Sequence, residues 1–182
     1  MLNIPNALTS MRIVFIPVFI VCFYLPYEWA HFASACIFAG VAFTDWLDGY
    51  LARKLQQQTK FGAFLDPVAD KLMVVSALTL ITEHYAEPAI TVAAIVMVGR
   101  EILISALREW MAELGKRAHV KVSEVGKWKT MAQLMALTGL IWSEPGVIYG
   151  MALFLLYVAV ILTLWSMCVY IKAAWPELMS KD

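Results

Sequence analysis

Long apolar runs recur along the chain, broken by short polar or turn-forming clusters near 26–31, 56–60, 83–88, 115–125 and 143–146. Each run is about 20 residues long, the length an α-helix needs to cross a hydrocarbon layer roughly 30 Å thick. The pattern predicts membrane spans at 8–24, 32–52, 62–81, 89–110, 126–142 and 147–170. Trp29, Trp110, Trp142 and Trp175 fall near the predicted ends, where interfacial anchors belong. Asn6 or Thr9 suits the cap of the first helix. Pro67, directly after Asp66, fits the first turn of the third, which would set carboxylates at the positive end of that helix dipole. Residues 111–125 read as a basic amphipathic segment along the membrane surface, and the tail after Pro176 as frayed.

Composition turns this pattern into a class. With 62% hydrophobic and 15% charged residues, an ordinary soluble domain is excluded. The expectation is an all-α integral membrane protein, a single domain over 1–182 with no room for a soluble one and no nucleic-acid partner. The formal net charge of +0 hides an asymmetry along the chain. Arg53, Lys54, Lys60, Lys116, Arg117, Lys121, Lys127 and Lys129 cluster in two connecting segments, whereas the alternate connections carry Glu28, Glu83, Glu87 and Glu144 and no Lys or Arg. By the positive-inside rule the basic loops and both termini are cytoplasmic, which requires an even number of spans; six fit. The amino end lacks a basic start and a small-residue cleavage site, so the first helix is expected to stay as an uncleaved anchor. Cys22, Cys36 and Cys168 read as small core residues without a disulfide, and His31, His84 and His119 as surface or interface residues.

Against this background the stretch from Asp45 to Asp70 is anomalous, because it sets Asp45, Asp48, Asp66 and Asp70 within or beside apolar runs. Each aspartate near a bilayer centre costs roughly 3 kcal/mol on insertion scales, so something must compensate them. Asp45 and Asp48 share one helix face, as do Asp66 and Asp70, and two consecutive antiparallel helices packed side by side would bring the pairs together. Carboxylates that close raise one another's pKa unless cations intervene. An all-oxygen set suits Mg²⁺, Mn²⁺ or Ca²⁺ rather than zinc. Two such metals are a standard device for displacement at phosphorus. Gly49 and Gly62 leave space for a ligand near the backbone, and Arg53 offers a cationic fork for a pyrophosphate, although close helix packing and a basic flank would also explain them. Arg12 can snorkel to the interface or face a bound phosphate.

The arrangement D-x2-D-G-x2-A-R-x8-G-x3-D-x3-D is filled without departure by Asp45, Asp48, Gly49, Ala52, Arg53, Gly62, Asp66 and Asp70, and it resembles the signature of the CDP-alcohol phosphotransferase family. The resemblance covers essentially the whole chain and implies six transmembrane helices. It also implies attack by an acceptor hydroxyl on the β-phosphate of a CDP-linked lipid, with release of CMP. It makes Asp45, Asp48, Asp66 and Asp70 ligands of two divalent cations, Mg²⁺ or Mn²⁺, and Asp70 the general base. Asn6, Thr9, Gly49, Ala52, Arg53, Thr59 and Gly62 would form the CDP pocket, and a homodimer is suggested.

Further stretches, among them Asn6 to Arg12, Arg100-Glu101 through Arg108-Glu109-Trp110 and Gly126-Lys127-Trp128-Lys129-Thr130, resemble the bacterial branch of that family that takes CDP-diacylglycerol as donor and sn-glycerol 3-phosphate as acceptor. This implies a multi-pass protein of the cytoplasmic (inner) membrane with its active site on the cytoplasmic side. A phosphorylated acceptor needs extra cations, and Arg100, Lys127 and Lys129 can supply them, with Arg12 and Arg108 as lipid or phosphate contacts. Serine, an inositol phosphate or phosphatidylglycerol are the other acceptors to weigh. From another class, a divalent-cation transporter would also set carboxylates on neighbouring helices, though nearer the midplane.

Overall fold

The computed structural model describes residues 4–55, 60–114, 124–142 and 146–179, and within these the side chains of 4–9, 45–55, 60, 61, 63, 124–127 and 176 lie outside the described set. Six helices follow in order: α1 Ile4–Phe23, α2 Ala30–Leu55, α3 Lys60–Tyr85, α4 Pro88–Glu113, α5 Glu124–Trp142 and α6 Val147–Leu178. No strand occurs among the described residues. Two helices, over Pro88–Glu113 and Val147–Trp175, are long and apolar enough to cross a membrane, and Ser10–Phe23 and Ala30–Thr44 are shorter apolar stretches.

Several boundaries differ from the sequence pattern. α1 begins at Ile4, so Asn6 and Thr9 lie inside its first turns instead of capping it; Pro5 is tolerated there because a first-turn N–H has no helical partner to lose. α3 begins at Lys60, which puts Pro67 inside the helix and leaves no acidic residue in the first turn. The dipole argument for Asp66 and Asp70 therefore fails, since that effect fades beyond the first turn. The hydrophobic period located the apolar middles of these helices but not their polar first turns. α4 runs on through Met111 to Glu113, and residues 115–123, His119 included, lie outside the described set. α6 continues past Pro176 to Leu178, where a frayed tail was expected.

α5 and α6 pack most extensively, and Gly139 is the close-contact point: a Cβ built there would lie 2.7 Å from the Cβ of Ala152. α1 lies against both α2 and α3, α5 against α2, and α6 against α4, while α2 and α3 make few contacts with each other. The consecutive pair does touch, but more sparsely than the side-by-side packing that the short connection suggested, and each packs more extensively on α1. Phe19, Phe38, Leu78, Ile81, Ile90, Met97, Leu137 and Leu156 fill the interior, with small residues such as Ala77, Ala136 and Ala159 letting the backbones approach. The outer surface is apolar as well, with Val14, Val21, Val92, Ile95, Phe154, Ile161 and Trp165 exposed. A water-facing surface would not carry so continuous an apolar belt.

Polar ties gather at the end of the bundle opposite the aspartates. Tyr24 donates to Glu83, Tyr149 to Glu87 at 2.8 Å, and Tyr85 to the Leu140 carbonyl at 2.9 Å. His31 and His84 sit 4.8 Å apart by ring centroid, and each meets Phe23 edge-on. Ala86 takes a φ of 50, turning the chain from α3 into Pro88 at the start of α4. Cys22 is buried and donates to the Ala30 carbonyl, but Cys36 and Cys168 are exposed on their helices and are not core residues; all three are free thiols.

Candidate active site at one end of the bundle

α3 carries Asp66 and Asp70 one turn apart, and α2 carries Asp45, Asp48, Gly49, Ala52 and Arg53 over its final turns. The side chains of those α2 residues, of Asn6, Thr9 and Lys127, and Thr59 altogether, lie outside the described residues. Gly62, at the start of α3, is buried. Among the described residues no three His, Cys, Asp or Glu side chains form a metal-binding group, a census that omits Asp45 and Asp48.

Arg12 of α1 reaches into the acidic region. Its Nη2 lies 3.4 Å from Asp66 Oδ1, with the arginine side chain 3% exposed and that of Asp66 45% exposed. Snorkelling to the interface is therefore set aside for Arg12. It is a buried cation that balances part of the carboxylate charge, and it helps α1 bridge α3 to α2. Between these helices and α5 lies a cavity lined by Arg12, Phe38, Val41, Asp70, Met73 and Leu134 among others. Asp70 thus opens onto a space shared by four helices, which gives α2 and α3 a common wall.

A second polar cluster sits on α4, α5 and α6. Arg100 donates through Nη1 to Glu101 Oε1 at 2.8 Å and through Nη2 to Ser166 Oγ at 3.0 Å, and Lys129 Nζ reaches the same Glu101 oxygen at 3.0 Å. Arg100 and Lys129 are both buried, at 9% and 7% exposure, and Arg100 Nε has no hydrogen-bond partner. Among the described residues, two buried cations beside one carboxylate, with Arg100 Nε left as an unfilled donor, make a setting that attracts an anion. The helix that carries Lys129, α5, also supplies Leu134 to the cavity at Asp70, so one helix joins the two regions. Arg108 stands apart, donating to Tyr170 Oη at 2.9 Å with its guanidinium 5.1 Å from the ring centre.

Of the predicted cations, then, Arg100 and Lys129 are brought together, Arg108 of α4 is held against Tyr170 of α6, and the Lys127 side chain lies outside the described set. Residue patterns alone missed Glu101 as their common counter-ion, Ser166 as a further partner of Arg100, and Lys71, which donates to Ser105 while Ser105 bonds the Glu101 carbonyl at 2.6 Å. A signal existed: Lys71, Glu101, Ser105 and Ser166 are polar residues inside apolar runs, which normally mark a paired interior position.

Known proteins resemble this chain over most of its length. The family model described as CDP-alcohol phosphatidyltransferase matches residues 2–165. A protein of Haemophilus influenzae is 56% identical over 177 residues, covering 97% of this chain and 96% of its own. One of Yersinia pestis is 55% identical over 178 residues, covering 98% of each chain, and one of Sodalis glossinidius 54% identical over 177 residues, covering 97% of each. All three bear the name CDP-diacylglycerol–glycerol-3-phosphate 3-phosphatidyltransferase. With a family-model match over residues 2–165 and near full-length relatives at about 55% identity, the chain belongs to the CDP-alcohol phosphatidyltransferase family.

Proposed function

We propose that this protein transfers the phosphatidyl group of CDP-diacylglycerol to sn-glycerol 3-phosphate, giving phosphatidylglycerophosphate and CMP. The names of its near full-length relatives support both substrates. The observation that carries the reading is the buried pair Arg100 and Lys129 sharing Glu101, with Lys129 on α5, the helix that also walls the cavity at Asp70. An acceptor bearing both a phosphate and a hydroxyl can reach from one to the other. Serine carries no phosphate for Arg100 and Lys129 to hold.

In this reading Asp45, Asp48, Asp66 and Asp70 hold two divalent cations, Mg²⁺ or Mn²⁺. The all-oxygen donor set fits hard ions. Such cations would supply neutralisation of the pyrophosphate charge and stabilisation of the leaving group. Asn6, Thr9, Gly49, Ala52, Arg53, Thr59 and Gly62 line the CDP pocket in this reading, with Gly62 buried at the start of α3. Arg12 keeps Asp66 oriented through their contact. Arg100, Lys127 and Lys129 grip the acceptor phosphate, and Arg108 lies near the rim as a lipid or phosphate contact. The acceptor hydroxyl faces Asp70, which takes its proton as the new O–P bond forms at the β-phosphate and the P–O bond to CMP breaks. General-base assistance of this kind is worth about 10²–10⁴-fold.

The same reading makes all six helices spans of a bacterial cytoplasmic (inner) membrane, with both termini and the active site on the cytoplasmic side and a homodimer as the working assembly. The test is an acceptor panel: purified protein, CDP-diacylglycerol, Mg²⁺ or Mn²⁺, and glycerol 3-phosphate, serine, an inositol phosphate or phosphatidylglycerol in turn. CMP release should require glycerol 3-phosphate and stop on chelation. Faster release with another alcohol would overturn the acceptor, and turnover that survives chelation would overturn the metals.

A further inference from the structure

A second cavity, of about 250 Å³, opens between α1 and α2 outside the catalytic cluster, walled by Met11, Phe15, Cys36, Ile37, Gly40 and Val41 and closed at one end by Arg12 and Thr44. Cys36, Gly40 and Thr44 recur every fourth residue and so form one stripe of α2, opposite Met11 and Phe15 on α1. The walls are apolar. The Thr44 hydroxyl is spent on the Val41 carbonyl at 2.7 Å, which leaves the Arg12 guanidinium as the polar end.

Resting on the function proposed above, we infer that this groove seats one acyl chain of the CDP-diacylglycerol donor. The stripe from Cys36 to Thr44 rises roughly 12 Å at 1.5 Å per residue. That is most of the roughly 15 Å depth of one leaflet, half of a hydrocarbon core about 30 Å thick. Its polar end lies at the right place for a lipid whose headgroup is held by the aspartates. Thr44 precedes Asp45, Arg12 contacts Asp66, and Arg12 with Val41 also lines the cavity that holds Asp70. A flexible hydrocarbon chain fits such a groove.

Gly40 makes the inference testable without disturbing the fold. A Cβ there meets nothing within 4 Å, and replacing glycine inside a helix favours the helix, so Gly40→Leu and Gly40→Phe fill the groove without forcing backbone apart. With a long-chain CDP-diacylglycerol the apparent KM should rise about tenfold or more in both variants. With a dihexanoyl donor, and for glycerol 3-phosphate, kinetics should stay within about twofold of the unsubstituted protein. Equal losses on both donors, or none on either, would overturn the groove as an acyl site. A readout independent of turnover uses Cys36, exposed on the groove wall, with exposed Cys168 as the control. Long-chain CDP-diacylglycerol should slow maleimide labelling of Cys36 but not of Cys168, and CDP should slow neither. Equal protection by phosphatidylcholine would make the groove a general lipid crevice and overturn the proposal. Because this labelling needs no acceptor, failure of the transferase reading appears separately, as absent CMP release from the unsubstituted protein.

Discussion

Lys129 Nζ and Glu101 Oε1 meet at 3.0 Å between α5 and α4, on the carboxylate oxygen that also accepts from Arg100 at 2.8 Å. One oxygen bridging two buried cations occupies the kind of position that a phosphate oxygen would take in the proposed acceptor site. Removing its charge leaves Arg100 and Lys129 facing each other. Hydrogen bonds to charged groups contribute about 1.5–3 kcal/mol, so Glu101→Gln should lower the melting temperature of the purified protein by several degrees. Glycerol 3-phosphate should restore more of that loss in the variant than it adds to the unsubstituted protein. An unchanged melting temperature would mean that Glu101 is not the counter-ion it resembles.

The buried cations should separate acceptor binding from donor binding. Arg100→Ala and Lys129→Ala each remove a charged partner of the acceptor phosphate, worth about 1.5–3 kcal/mol, or one to two decades in the apparent constant for glycerol 3-phosphate. The constant for CDP-diacylglycerol should change little, and Arg53→Ala should show the reverse. Steady-state kinetics with each substrate varied in turn decide the matter. Equal effects of all three on both substrates would reduce the cluster to a general electrostatic feature.

Topology is checked by single cysteines at Thr59 and Glu87 in a background free of other cysteines. An impermeant thiol reagent applied to intact cells should mark the second and spare the first, because basic residues avoid the connection that holds Glu87. Labelling at Thr59 would overturn the orientation.

What was legible in the sequence follows from which forces are local. Apolar period and run length locate all six helices, because burial in lipid or protein is needed wherever the chain spans. The motif from Asp45 to Asp70 is legible because its residues are costly in an apolar setting and share helix faces. Helix starts were less legible: Asn6, Thr9 and Pro67 are local signals for a first turn, yet α1 and α3 gain further turns before them. Least visible was what depends on neighbours distant in the chain. Nothing near Asp66 announces Arg12, 54 residues earlier, nor does Arg100 announce Ser166, 66 residues later. Short loops suggested α2 beside α3; the two do touch and share the wall of the cavity at Asp70, but nothing local showed that each would pack more extensively on α1.

The central claim is that Asp70, on the cavity shared by α1, α2, α3 and α5, takes the proton of the acceptor hydroxyl. An alcohol is a poor nucleophile at neutral pH, and loss of a general base costs about two to four decades in rate. The direct measurement is the catalytic constant of Asp70→Asn with saturating CDP-diacylglycerol, glycerol 3-phosphate and Mg²⁺, beside equilibrium binding of the donor to the same variant. The account predicts a fall of at least about two decades with donor binding retained. A variant that keeps more than about a tenth of the activity would contradict it, since so small a loss does not match the removal of a general base.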